Sequence, residues 1–237
     1  MPAESPARER TGNGGHGEDA SRIREIEGRL RQRYGEPEKR RRPPLDELLL
    51  TILSQNTSDT NRDRAWTELR SRFGSWREVL EAERGELEDA IRVAGLAGQK
   101  GEAIHGVLAT LDDERDALSL DHLDDLDDGE AMRYLESFRG VGTKTAACVL
   151  CFSLHRPVLP VDTHVRRVCE RLGLIPEGTG AVEAHSILQR TVPAELRFPL
   201  HLLLIRHGRA TCGARRPACG ECVLEDLCAR VGVDGRR

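Results

Sequence analysis

Aromatic residues are nearly missing from this chain: two Trp, two Tyr and four Phe among 237 residues. Stacked rings therefore cannot build its core, and Leu, Val, Ile and Ala must. Long apolar runs are also absent, and none approaches the ~20 residues that span a bilayer. The N-terminus lacks the apolar stretch of a secretory signal. Residues with β-branched alternation are scarce, while Leu/Ala/Glu/Arg runs dominate, so an all-α fold is expected. Net positive charge is lacking too: the formal charge is −4. A partner with a phosphate backbone then requires clustered basic residues.

What is present falls into helical blocks. Residues 1–20 are polar and mixed in charge and read as a disordered tail, as do 232–237 at the other end. Ile23, Ile26 and Leu30 share one helix face starting at Ser21. Arg40, Arg41 and Arg42 precede Pro43-Pro44 and read as a solvated linker. A nearly continuous apolar helix from Asp46 to Leu53 then stops at Ser54-Gln55-Asn56-Thr57-Ser58-Asp59, a helix end followed by the cap of the next helix. Further helical patterns surround Trp66, Trp76 and Ile91, and the last ends at Gly95-Leu96. Another covers 103–111. Residues 112–130 hold ten carboxylates in nineteen positions and should face away from any polyanion, although Leu118, Leu120, Leu123 and Leu126 still pack.

The most informative stretch is Phe138-Arg139-Gly140-Val141-Gly142-Thr143-Lys144-Thr145-Ala146-Ala147, with Val161-Asp162-Thr163-His164 following eighteen residues after Lys144. Glycines at 140 and 142 permit positive φ and close approach of another molecule. The apolar run behind them opens a helix whose free N–H groups suit a phosphate. Asp162 is placed to cap a helix with the stripe Val165, Val168, Cys169 and Leu172. His201 and His207 flank the last apolar helix and read as packing or hydrogen-bonding histidines.

Seven cysteines form two groups. Cys148, Cys151 and Cys169 lie in apolar helical runs, as small buried hydrophobes do. Cys212, Cys219, Cys222 and Cys228 follow the spacing Cys-x6-Cys-x2-Cys-x5-Cys. This favours a metal site over disulfides. Zinc and an iron–sulfur cluster both accept four thiolates.

The glycine turn with its lysine, the Val-Asp-Thr-His segment and the cysteine spacing together resemble the endonuclease III family of helix-hairpin-helix DNA glycosylases. The likeness covers roughly Ser21 to Val231. Arg139 departs from it, standing where that family usually has Pro. The resemblance implies two helical domains flanking a DNA-binding cleft. One is a six-helix barrel with the hairpin, residues 37–156; the other joins 21–36 to 157–231 and holds a [4Fe–4S] cluster on Cys212, Cys219, Cys222 and Cys228. Lys144 and Asp162 are then the catalytic pair. DNA contacts are implied at Gly140, Val141, Gly142, Thr143 and Thr145 of the hairpin, at Gln55 or Asn56 in the base gap, at Leu96 as a wedge, at Lys100 beside it, and at Arg215 and Arg216. The expected partner is double-stranded DNA with a damaged base or abasic site, bound by a monomer that is cytoplasmic and nucleoid-associated. The implied activity is base removal with strand nicking, oxidised pyrimidines first and pyrimidine dimers or mismatches as other lesions. A non-catalytic or redox-sensing iron–sulfur DNA-binding protein is the alternative.

Overall fold

The computed structural model describes residues 15–39 and 41–233; Arg40 and most of the two expected tails lie outside them. Every regular element among these residues is helical, in line with the scarcity of alternating patterns. The α-helices are α1 (Gly15–Tyr34), α2 (Pro44–Leu53), α3 (Asp59–Arg72), α4 (Trp76–Glu81), α5 (Arg84–Ile91), α6 (Ala97–Arg115), α7 (Asp128–Ser137), α8 (Thr143–Phe152), α9 (Thr163–Leu172), α10 (Ala181–Thr191) and α11 (Arg197–Ala210).

Their ends follow local chemistry. Ser58 and Ser75 accept from the N–H of Asn61 and Glu78 and start α3 and α4. Asp127 and Glu130 form a reciprocal capping box on α7. Gly173 takes φ +73° after α9, so that Leu174 N–H reaches Cys169 O and Gly173 N–H reaches Glu170 O, each at 2.9 Å. That pair of bonds is a Schellman stop.

Three boundaries differ from the sequence reading. Helix α1 begins at Gly15, inside the expected tail, with Glu18 in its first turn favouring the helix dipole. Helix α2 begins at Pro44, whose missing N–H costs nothing at the first helical position. Helix α6 begins at Ala97 rather than 103, directly behind Leu96, and runs on to Arg115.

Two apolar cores result. The first gathers α2 to α8 around Leu49, Ile52, Ile104, Leu108, Leu135 and Val149. The acidic stretch contributes buried Leu120 and Leu123 to it. The second brings Ile23, Ile26 and Leu30 of α1 against Val165, Val168 and Cys169 of α9 and Leu200, Leu203 and Leu204 of α11. Chain ends far apart in sequence therefore share one core. The two bodies are also joined by polar contacts. Arg209 of α11 donates to Asp59 at the start of α3 through both guanidinium nitrogens, at 2.5 and 3.3 Å, while within the second body Gln189 of α10 ties down the incoming segment at Pro157 O and Leu159 N–H.

Candidate active site and cysteine cavity

The glycine turn joins α7 to α8. Gly140 alone takes the left-handed region, at φ +86°, and a Cβ there would stand 3.1 Å from that of Ala103 on α6. Both conformation and packing therefore demand glycine at 140. Gly142 is extended instead, with φ −106°, and caps α8; a Cβ on it would meet nothing within 4 Å. Its lack of a side chain leaves the turn open rather than strained. The amides of Thr143 and Lys144 are the first two of α8 and point out of the helix. Val141 and Thr145 are buried, with their N–H groups bonded to Phe138 O and Gly142 O. They hold the turn and are withdrawn from the expected contact surface. Arg139, in place of the family proline, pairs with Glu102 of α6.

Lys144 is half-buried at the head of α8. Its ammonium acts electrostatically on Glu47, Cys148 and His201. Cys148 lies one helical turn on, buried in α8. Asp162 caps α9 by accepting from Val165 N–H through Oδ1 at 2.8 Å. Its carboxylate acts on the same Cys148 and His201. Lys144 and Asp162 thus act electrostatically on the same two buried side chains. The fold brings residues eighteen positions apart to one place, from two different cores.

Sequence reading missed one member of this neighbourhood, Glu47, and read the other, His201, correctly as a hydrogen-bonding histidine without placing it here. Glu47 is a buried carboxylate on α2; burial pushes it up, while Arg42, at 3.2 Å, opposes the shift. Its position in an apolar helix hides it. His201 is buried, and its Nδ1 donates to Pro160 O at 2.7 Å, the bond that fixes which nitrogen carries the proton. This ties α11 to the segment entering Asp162. Burial is the main cause that pushes His201 down, to about 4. Between pH 6.5 and 4 the unfolded chain accordingly binds a proton that the folded chain refuses. Stability should fall as pH drops through that window. The gap between urea midpoints at pH 7 and 4.5 should narrow in His201→Gln, which can still donate to Pro160 O; the part that stays includes His207, which burial also pushes down to about 4.

The loop at 54–58 touches the glycine turn through Gln55, and Lys100 ties that loop to the turn at 95–96. Gln55 donates its Nε2–H to Gly140 O at 3.2 Å. Asn56, beside it, is exposed with φ +51°. Leu96 is 48% exposed with φ +52°, so it does not cover the preceding helix. Lys100 corrects the sequence reading. It is 2% exposed and donates to two carbonyls, so it is no phosphate contact.

Cys212, Cys219, Cys222 and Cys228 line one open-sided space together with Arg171, Leu172 and His207. Arg171 of α9 donates to Cys212 Sγ at 3.2 Å, Gly213 O at 2.8 Å and Ala214 O at 3.0 Å. His207 Nε2 lies 3.6 Å from Cys222 Sγ, and its Nδ1 lies 3.1 Å from Tyr34 Oη. Arg215 and Arg216 stand exposed on the loop that Arg171 holds.

This arrangement has known counterparts. Residues 49–194 match the family described as HhH-GPD superfamily base excision DNA repair protein. The chain belongs to that superfamily. Residues 212–228 match the iron–sulfur binding domain of endonuclease III. The superfamily member is 41% identical over 165 residues to a putative DNA glycosylase of Arabidopsis thaliana, covering 70% of this chain but 56% of that one. It is 34% identical to endonuclease III of Escherichia coli, covering 86% and 93%. Among solved structures, a trapped endonuclease III–DNA covalent intermediate superposes with a TM-score of 0.77 at 28% identity, covering 89% and 96%.

The superfamily member carries a [4Fe–4S] cluster, and its cysteine cavity fits one. Four cysteines line one space, Arg171 donates to Cys212 Sγ, and His207 Nε2 lies beside Cys222 Sγ, surroundings that suit metal-bound thiolates. Freshly purified protein should be yellow-brown and hold about four irons per chain; stoichiometric zinc without iron would contradict this. No helix of the described residues is long and apolar enough to cross a membrane.

Proposed function

We propose that this protein is a bifunctional base-excision DNA glycosylase and abasic-site lyase, with Lys144 as nucleophile and Asp162 as its partner. The observation that carries the reading is the shared neighbourhood of these two side chains at the open end of the hairpin helix. The amine of Lys144 attacks the sugar C1′ of an extruded nucleotide. The C1′–N bond breaks and the base leaves with its electron pair. Loss of a proton from nitrogen and opening of the sugar ring give an imine. The imine acidifies a C2′ proton, whose removal expels the 3′ phosphate. Asp162 keeps Oδ1 on the Val165 amide; its other oxygen is free to accept a proton or stabilise positive charge on the sugar.

The partner in this reading is duplex DNA with a damaged base or abasic site. Gly140, Gly142 and the Thr143 amide receive a phosphate, Arg215 and Arg216 another, while Leu96 and Gln55 or Asn56 enter the stack. The four cysteines hold the cluster, which takes no step in the chemistry; it fixes the loop that bears the arginines. The protein acts as a monomer at the nucleoid. Binding should weaken linearly in log K against log salt, and Arg215→Ala should reduce the slope by about one phosphate contact; an unchanged slope would remove this loop from the interface.

A panel of duplexes tests the function, each bearing one lesion: an oxidised pyrimidine, a pyrimidine dimer, a mismatch or an abasic site. Base release and nicking should be fastest with the oxidised pyrimidine, and the abasic duplex should be nicked. An intact abasic strand would point instead to a protein that only binds.

A further inference from the structure

Lys100 is the least exposed charged side chain of the chain's described residues, and the proposed chemistry leaves it without a task. It is 2% exposed. Its Nζ donates to Leu53 O at 2.8 Å and to Ala94 O at 2.8 Å. Leu53 is the last residue of α2, directly ahead of Ser54-Gln55-Asn56. Ala94 ends the turn that precedes Gly95-Leu96. Both carbonyls belong to helix ends that lack intrahelical partners. The main-chain N–H of Lys100 also bonds Leu96 O at 3.0 Å. One residue therefore grips both loops.

The two loops need holding. Asn56 and Leu96 both adopt left-handed conformations, φ +51° and +52°, that non-glycine residues enter at a cost. Such backbone persists where its surroundings over-determine it. A third connection completes the block: Gln55 bonds Gly140 O, and Gly140 packs on Ala103, three residues after Lys100. The chain has three lysines against thirty-six Lys plus Arg in all, so arginine is its usual cation. A compact ammonium with three rotatable donors fits between carbonyls of two separate segments; a planar guanidinium fork does not. Burial lowers the Lys100 pKa, and the two carbonyl bonds are what offset the desolvation of its charge.

We propose that Lys100 is a positioning residue for nucleotide extrusion. Its ammonium sets the spacing between the 54–56 loop and the Gly95-Leu96 turn, so that both enter the duplex in register. The inference rests on the proposed function, and the experiment separates the two. Lys100→Met keeps the length and removes the donors. Single-turnover nicking is measured on an abasic site in a fully paired duplex and on one inside a mismatched bubble, already unstacked. A misplacement of about 1 Å can cost ~10²-fold. The paired duplex should therefore be nicked at least ~10-fold more slowly by Lys100→Met, while the bubble is nicked within about threefold of the native rate. Fluorescence of 2-aminopurine opposite the abasic site should rise with native protein and stay low with the variant. Lys100→Gln, whose amide retains two N–H groups, should recover part of the paired-duplex rate, and it replaces the Met variant if that fails to fold by circular dichroism and iron content. Equal losses on both substrates, or no loss on either, would overturn the proposal. Failure of native protein on both substrates would instead overturn the function on which it rests.

Discussion

Lys144→Ala should lose strand nicking at abasic sites altogether while keeping its fold, its iron and its affinity for DNA. Among the described residues, the Lys144 amine is the only group at the head of α8 that can form an imine. Removing it leaves nothing to make the C2′ proton acidic. The fold should survive because Lys144 is half-buried at a helix end and closes no core; alanine is also the best helix former. Lys144→Gln should behave alike, since an amide is no nucleophile. The loss is absolute rather than graded, the largest effect any single substitution here should have. Nicking by Lys144→Ala at more than a trace of the native rate would place the nucleophile elsewhere. The chain offers few other amines: Lys39 and Lys100 are the remaining lysines, and Lys100 is occupied by Leu53 O and Ala94 O.

Asp162→Asn should come second, slowing base removal ~10²-fold or more, by analogy with lost general-base and electrostatic groups. Two roles of this residue must be told apart. Its Oδ1 accepts from Val165 N–H at 2.8 Å, a structural cap. Asparagine caps a helix about as well as aspartate, so stability should change by a few tenths of a kcal/mol at most. The charge is what the substitution removes. Single-turnover base release, read beside a urea midpoint, separates the two. A steep rate loss at constant midpoint assigns the charge to catalysis; a native rate would reduce Asp162 to a cap.

Much of this was legible in the sequence, for reasons that differ by residue. Helix type came from composition, since scarce alternation left strands nothing to be made from. The glycine turn and Val-Asp-Thr-His segment are local patterns, and the structure sets Lys144 and Asp162 among the same neighbours. Lys100 was misread because a lysine on a Gly-rich turn looks like a phosphate ligand when burial is invisible. Its partners lie 47 and 6 residues away, and no local pattern encodes the first of them. The sequence permits positive φ at both Gly140 and Gly142, yet only Gly140 takes that conformation. Glu47, and the location though not the hydrogen-bonding role of His201, stayed hidden for a related cause. Each sits in an apolar helix and is brought to Lys144 by packing between helices. No local pattern singles out Arg171 either, since its partners at 212–214 lie more than forty residues along the chain.

The central claim is that a lysine amine of this chain becomes covalently joined to DNA during turnover. Native protein is incubated with an abasic duplex in the presence of borohydride, which reduces an imine to a stable secondary amine. The adduct is then digested and its DNA-bearing peptide sequenced by mass spectrometry. The account predicts one adduct per chain, carried on Lys144. No adduct under conditions in which the strand is nicked, or an adduct mapped to Lys39 or Lys100, would contradict it.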